Sequence, residues 1–247
     1  MGGVWRELAA PLEARRLRAS GIYRWDAAPP PRPGVVVLVP GFLTPRWALA
    51  PMAGWLRRGG IRCHVARVGL DIGCGDALAS ALAREVGALA AREEQRVTLV
   101  GHSRGGHLAR ACAHRRPDDV AGVITLGAPP LDHRGVHPVA ALPAITITAL
   151  GTSGVPGLMG LSCFYGSCCA DFREELERPV PAGLFHHAVW SQDDAVVRSH
   201  RLRRGAETPV EVRASHCGML VNPDVYAAIA AALADRDQVV EPAARRS

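Results

Sequence analysis

The sequence predicts an α/β fold with a mainly parallel sheet flanked by helices, and three observations carry that expectation. Short apolar runs alternate with Ala- and Leu-rich segments at helical spacing. The runs are continuously apolar, as in Val35-Val36-Val37-Leu38-Val39, which suits strands covered by helices on both faces. One such run, Val97-Thr98-Leu99-Val100, leads straight into a Gly-x-Ser-x-Gly turn and then a helical pattern.

Taken in order, residues 4–18 read as an amphipathic helix. The Pro-rich stretch 27–34 can be neither helix nor central strand and marks a linker. Strands are expected at 35–40, 61–68, 96–100 and 120–126, with helices at 51–58, 76–92 and 103–115 between and after them. Residues 128–180 break the rhythm with Pro, Gly and Cys, and read as an inserted cap or lid holding one or two short helices. Strands resume at 184–190 and 210–213. A helix at 222–234 closes the domain, with Asn222 as N-cap and Pro223 at the first position. The expected organisation is therefore an N-terminal helix and linker over 1–33, an α/β domain over 34–235 with its insert at 128–180, and a flexible charged tail over 236–247.

Composition narrows the function class. Hydrophobic residues make up 48% of the chain, enough for one full core. The net charge is +6, and all 29 basic residues are Arg, but they are dispersed and aromatics amount to only 5%. No basic stripe interleaved with stacking residues is present, so nucleic acid is not an expected partner. The first residues lack the apolar stretch of a secretory signal, and no run approaches a membrane span. The reading is a cytoplasmic protein with mostly free thiols among its seven cysteines, no integral membrane association and no cofactor. Cys163, Cys168 and Cys169 form the one group where a disulfide is allowed. A metal site built from His133, His137 and these cysteines lacks helical ligand spacing, so no metal is expected.

The chemistry-bearing segment is Gly101-His102-Ser103-Arg104-Gly105. Strand, tight turn and helix are the setting of a nucleophile elbow, which strains the backbone and lifts the serine hydroxyl above the sheet. The helix N-terminus behind it favours a developing oxyanion. One oxyanion donor is expected to be the Arg104 N–H, the other the Phe42 N–H in the loop Pro40-Gly41-Phe42-Leu43 after the first strand. A serine needs a base, and a base needs a carboxylate to orient it. His216, in a loop between the last strand and the last helix, can swing over the elbow. His186 and His187 fall within a strand, His200 in an Arg-rich stretch and His137 in the insert. For the acid, Asp194 precedes Ala-Val-Val, apolar residues that anchor a returning helix and aim the carboxylate inward. Asp193 reads as a surface or capping residue, and Asp132 is a third candidate.

With these segments in view, residues 35–234 resemble α/β-hydrolases of the bacterial lipase and esterase kind, closest to actinobacterial lipase-like proteins. VVVLVPGFLTP, VTLVGHSRGGHLARACAHRRPDDVAGVITLGAPP, WSQDDAVV and SHCGMLVNPDVY carry the likeness. The resemblance implies Ser103 as nucleophile, Asp194 as acid, His216 as base, and Phe42 and Arg104 as backbone oxyanion donors. The early loop reads Pro-Gly where many relatives have His-Gly, a change that spares a donated backbone group. The implied activity is cleavage of a small carboxylic ester or lipid-like substrate through an acyl-serine. A thioesterase, cyclase or acyltransferase on the same triad is the alternative, as is a non-catalytic binder, against which an intact triad argues.

Overall fold

The computed structural model describes residues 4–26, 34–129, 135–197 and 208–239. Six parallel strands form one sheet in the order β2-β1-β3-β4-β5-β6: β1 Val35–Val39, β2 Arg62–Val65, β3 Val97–His102, β4 Val120–Leu126, β5 Phe185–Ser191 and β6 Thr208–Val212. The α/β expectation is met. The chain order reverses between β1 and β3, so the crevice above the carboxyl ends of these strands is where such sheets hold ligands.

Apolar alternation along β1 shows how the sheet is covered. Val36 and Leu38 face one core with Met52, Trp55 and Leu56 of α3 (Ala50–Arg58) and Val225, Tyr226, Ile229 and Leu233 of the last helix. Val35, Val37 and Val39 face the other, against Leu82 and Val86 of α4 (Gly75–Glu93) and Leu108 and Cys112 of α5 (Arg104–Arg115). All residues of β1, β3, β4 and β5 are buried, the reason these runs carry no polar alternation.

The N-terminal segment is fastened to this body. A 3-10 turn over Val4–Ala9 runs into α1 (Ala10–Ala19) and the short α2 (Gly21–Arg24). Trp25 and Trp55 stack with centroids 4.5 Å apart, and each indole N–H finds a backbone carbonyl, Trp25 on Trp55 and Trp55 on Ile22.

Two expectations are corrected. The described residues of the insert hold three α-helices, α6 (Pro138–Thr152), α7 (Leu161–Tyr165) and α8 (Ala170–Glu177), and α6 is 15 residues long. Its prolines misled: Pro138 sits at the helix start, where no N–H is needed, and His137 caps Val139, while Pro143 lies inside the helix, which continues through it without that N–H. The last helix, α9 (Pro223–Val239), continues past the expected end at 234, because its charged residues are compatible with helix.

Candidate active site

The elbow takes its shape from glycine and strain. Ser103 adopts φ 51°, ψ −126°, a conformation that non-glycine residues hold only when the surroundings enforce it. The enforcement is local. The Ser103 N–H donates to Leu126 O at 2.8 Å, and the Ser103 carbonyl accepts from Gly106 N–H at 2.9 Å. A Cβ at Gly101 would come within 2.4 Å of Gly105 O, and one at Gly105 within 2.4 Å of both Val39 O and Pro40 O. The turn therefore closes only with glycine at both places.

The loop after β1 packs onto this turn. A Cβ at Gly41 would lie 2.9 Å from Ser103 Cβ and 2.7 Å from His102 O. Among the hydrogen bonds of the described residues, neither the Phe42 N–H nor the Arg104 N–H is a donor. The loop 69–73 steadies both neighbours: Leu43 N–H donates to Leu70 O at 2.8 Å, while the Arg104 guanidinium clasps Asp71 through its carboxylate and donates to Gly73 O at 2.9 Å. Burial pushes the Asp71 carboxyl up to about 7 against the opposing pull of Arg104.

His216 and Asp194 meet as a buried pair. His216 Nδ1 lies 2.7 Å from Asp194 Oδ2, and the Asp194 side chain is 1% exposed. The other carboxylate oxygen accepts from the Val196 and Val197 N–H groups at 2.9 and 2.7 Å. These bonds fix the Asp194 rotamer and leave Oδ2 for the imidazole. Burial alone would lower the His216 pKa. The Asp194 charge and hydrogen bond, with a contribution from Glu7, outweigh it and hold the ring above its ordinary value. Asp193 instead pairs with Arg6 at 3.0 Å on the half-exposed surface.

The His216 loop lies beside the elbow. His102, the residue before Ser103, donates from Nε2 to His216 O at 3.0 Å, and the two rings sit 4.9 Å apart. Burial drives His102 down to about 3, so it stays neutral and can act as a fixed donor. Among the described residues no hydrogen bond joins the Ser103 hydroxyl to His216.

The other histidines take other places. His186 and His187 are buried in β5, and burial pushes His186 down to about 4. His137 caps α6. Asp132, His133 and His200 lie outside the described residues.

Two acids escaped the sequence reading. Glu7 accepts from the N–H groups of Ala195, His216 and Cys217 at 3.3, 3.1 and 2.8 Å, bridging the Asp194 and His216 loops. Glu13, 6% exposed, accepts from Ser215 N–H at 3.0 Å and Asn222 Nδ2 at 2.8 Å. Their signal was faint but present, since Glu13 precedes buried Leu17 by four residues and so shares the helix stripe expected to pack.

No family model and no curated protein matches the sequence. Solved structures do match in fold. Lipase BlEst2 of Bacillus licheniformis, in mature form, superposes with a TM-score of 0.59 over 83% of this chain and 93% of that one, at 17% identity. A structure reported with LipS and LipT, two metagenome-derived lipolytic enzymes, gives 0.56 over 84% and 94% at 20% identity. MGS-MChE2, an α/β-hydrolase enzyme from the metagenome of lagoon sediments at Mar Chica, Morocco, gives 0.56 over 83% and 91% at 14% identity. The chain has the α/β-hydrolase fold. In this α/β-hydrolase fold the elbow after β3 and the loops after β5 and β6 meet at one end of the sheet, and chemistry is set by the side chains those loops carry.

Proposed function

We propose that this α/β-hydrolase-fold protein cleaves carboxylic esters through an acyl-serine intermediate, with Ser103, His216 and Asp194 as the triad. The observation that carries the reading is a non-glycine residue held at φ 51° between strand and helix, and that residue is a serine. The buried Asp194–His216 pair beside it supplies the base.

His216 Nε2 takes the Ser103 proton as Oγ attacks the ester carbonyl. Asp194 fixes the tautomer with Nδ1–H toward the carboxylate, and its charge offsets the imidazolium that forms. The N–H groups of Phe42 and Arg104 receive the oxyanion. His216 then returns its proton to the departing alcohol, and water repeats the sequence on the acyl-serine.

The substrate's acyl part is read from the insert. In α6, Val139, Leu142 and Ile145 are all more than half exposed, and Leu43 and Leu70 add apolar surface at the loop beside the elbow. This surface suits an apolar acyl chain. The test is Ser103→Ala on a p-nitrophenyl butyrate assay. Turnover is expected to fall by about 10⁴-fold or more with unchanged circular dichroism; retained turnover would remove Ser103 from the mechanism.

A further inference from the structure

Four cysteines converge where the insert meets the body of the domain. The sulfurs of Cys74, Cys163, Cys168 and Cys169 all lie within 4.8 Å of one another. Cys74–Cys169 is 3.3 Å, Cys163–Cys168 3.8 Å and Cys168–Cys169 3.9 Å. A tetrahedral zinc with sulfur ligands at about 2.3 Å has sulfur–sulfur edges of about 3.8 Å, and the observed separations bracket that value. Cys74 precedes α4, and the other three come from α7 and the 3-10 turn after it, so no local spacing announces the set.

We propose that Cys74, Cys163, Cys168 and Cys169 bind one structural Zn²⁺ as a tetrathiolate that clips the insert to the catalytic domain. This inference is independent of the ester-hydrolase reading.

The surroundings suit such a centre. Four thiolates around one divalent cation leave a net charge of −2, which needs donors and cations nearby. Backbone N–H groups of Asp76 and Ala77 face the Cys74 sulfur, Asp76 also faces Cys169, and Gly160 faces Cys163. Arg173 forks onto the carbonyls of Cys163 and Gly166 at 3.0 and 2.7 Å, which sets a guanidinium next to the cluster. Phe172 covers one side, close enough that a Cβ at Gly75 would lie 2.7 Å from its ring. Four sulfurs each near the other three fit one shared ion better than two separate disulfides, which need only pairwise approach. Four coordinated thiolates also call for reduced cysteines, and so for a reducing compartment.

The clip has a mechanical consequence. Met159 N–H donates to Ile72 O at 2.9 Å, so the insert already touches the loop whose carbonyls hold Leu43 and Arg104. A metal at Cys74 would tie the start of α4, next to that loop, to Cys163, Cys168 and Cys169 of the insert, adding to the ion pair of Arg115 with Glu175 and the burial of Phe172 and Leu176.

The test uses full-length protein produced with added zinc and purified under reducing conditions. Elemental analysis and native mass spectrometry are expected to give about one zinc per chain, with four thiols protected from Ellman's reagent until a chelator is added. Chelation is expected to lower Tm by about 5 °C or more. Cobalt exchanged into the wild type should show the thiolate charge-transfer and tetrahedral ligand-field bands. Cys74→Ser and Cys168→Ser should lose the metal, while Cys217→Ser keeps it. Wild-type protein without stoichiometric metal and without the cobalt spectrum overturns the proposal. So does a mass lower by two hydrogens per pair that marks disulfides, or metal that persists in both cysteine variants.

Discussion

Asp193 and Asp194 are adjacent and chemically identical, and their surroundings separate them. Asp193 faces Arg6 in water, where an ion pair contributes little. Asp194 is enclosed, anchored by two backbone N–H groups and aimed at His216. Asp194→Asn is therefore expected to lower kcat by about 10⁴-fold through the wrong imidazole tautomer. Asp193→Asn should stay within a few-fold of wild type in the same steady-state assay. The pH profile follows from the same pair. His216 accepts a proton only when neutral, and its surroundings hold it above its ordinary value of about 6.5. Activity should therefore be lost as pH falls through an apparent pKa higher than that figure. In Asp194→Asn the raising charge is gone, so the limb of the residual kcat/KM profile should move to lower pH; a limb that stays in place would separate the pH dependence from His216.

At the scale of elements, strands and the elbow were legible because each rests on local rules. A strand buried on both faces must be continuously apolar, and a turn as tight as that at Ser103 must have glycine at 101 and 105. The pairing of Asp194 with His216 rests on two loops that the chain order of the fold brings to one end of the sheet. What escaped is non-local. Glu7 and Glu13 lie about 200 residues from the loops they hold, and Cys74 is 95 residues from Cys169; no window of sequence contains both partners. The insert was misjudged for a different reason: α6 begins on Pro138, where no N–H is needed, and it runs on through Pro143 even though that interior residue lacks a helix N–H, so local proline rules underestimated it. The N-terminal helix, read as a preface to the domain, is a brace for the base loop. Glu13→Ala would leave the buried Ser215 N–H without its acceptor and the Asn222 amide with Arg213 O alone, at a cost of about 1–3 kcal/mol. Urea unfolding should show this as a lower midpoint with an unchanged slope, and a midpoint equal to wild type would mean that α1 contributes no stability through Glu13.

Across the whole molecule, the sheet supplies a rigid platform and the insert supplies the variable part. The insert begins where the acid loop ends: Val136 bridges Val197, and His137 N–H donates to Val196 O at 2.8 Å. It returns past the 69–73 loop beside the candidate oxyanion donors. The insert thus makes hydrogen bonds to the segment after Asp194 and, through Met159, to the loop that holds Leu43 and Arg104. Exposed apolar residues on α6, 57% for Leu142 and 60% for Ile145, point to contact with an apolar substrate or surface. The double substitution Leu142→Ser with Ile145→Ser should reduce turnover of dodecanoyl esters by about 5-fold or more while leaving butyryl esters near wild type. Equal loss on both chain lengths would place α6 outside substrate contact. Among the described residues no helix is long and apolar enough to cross a membrane.

The catalytic expectations all depend on a nucleophilic serine at the elbow, and covalent capture tests it most directly. Full-length protein treated with a fluorophosphonate and digested for peptide mass spectrometry should carry one adduct, on Ser103 in the peptide containing Gly101-His102-Ser103-Arg104. Labelling should disappear in Ser103→Ala and slow sharply in His216→Ala. An adduct on another residue, or esterase turnover that survives complete fluorophosphonate treatment with Ser103 unmodified, would contradict the account.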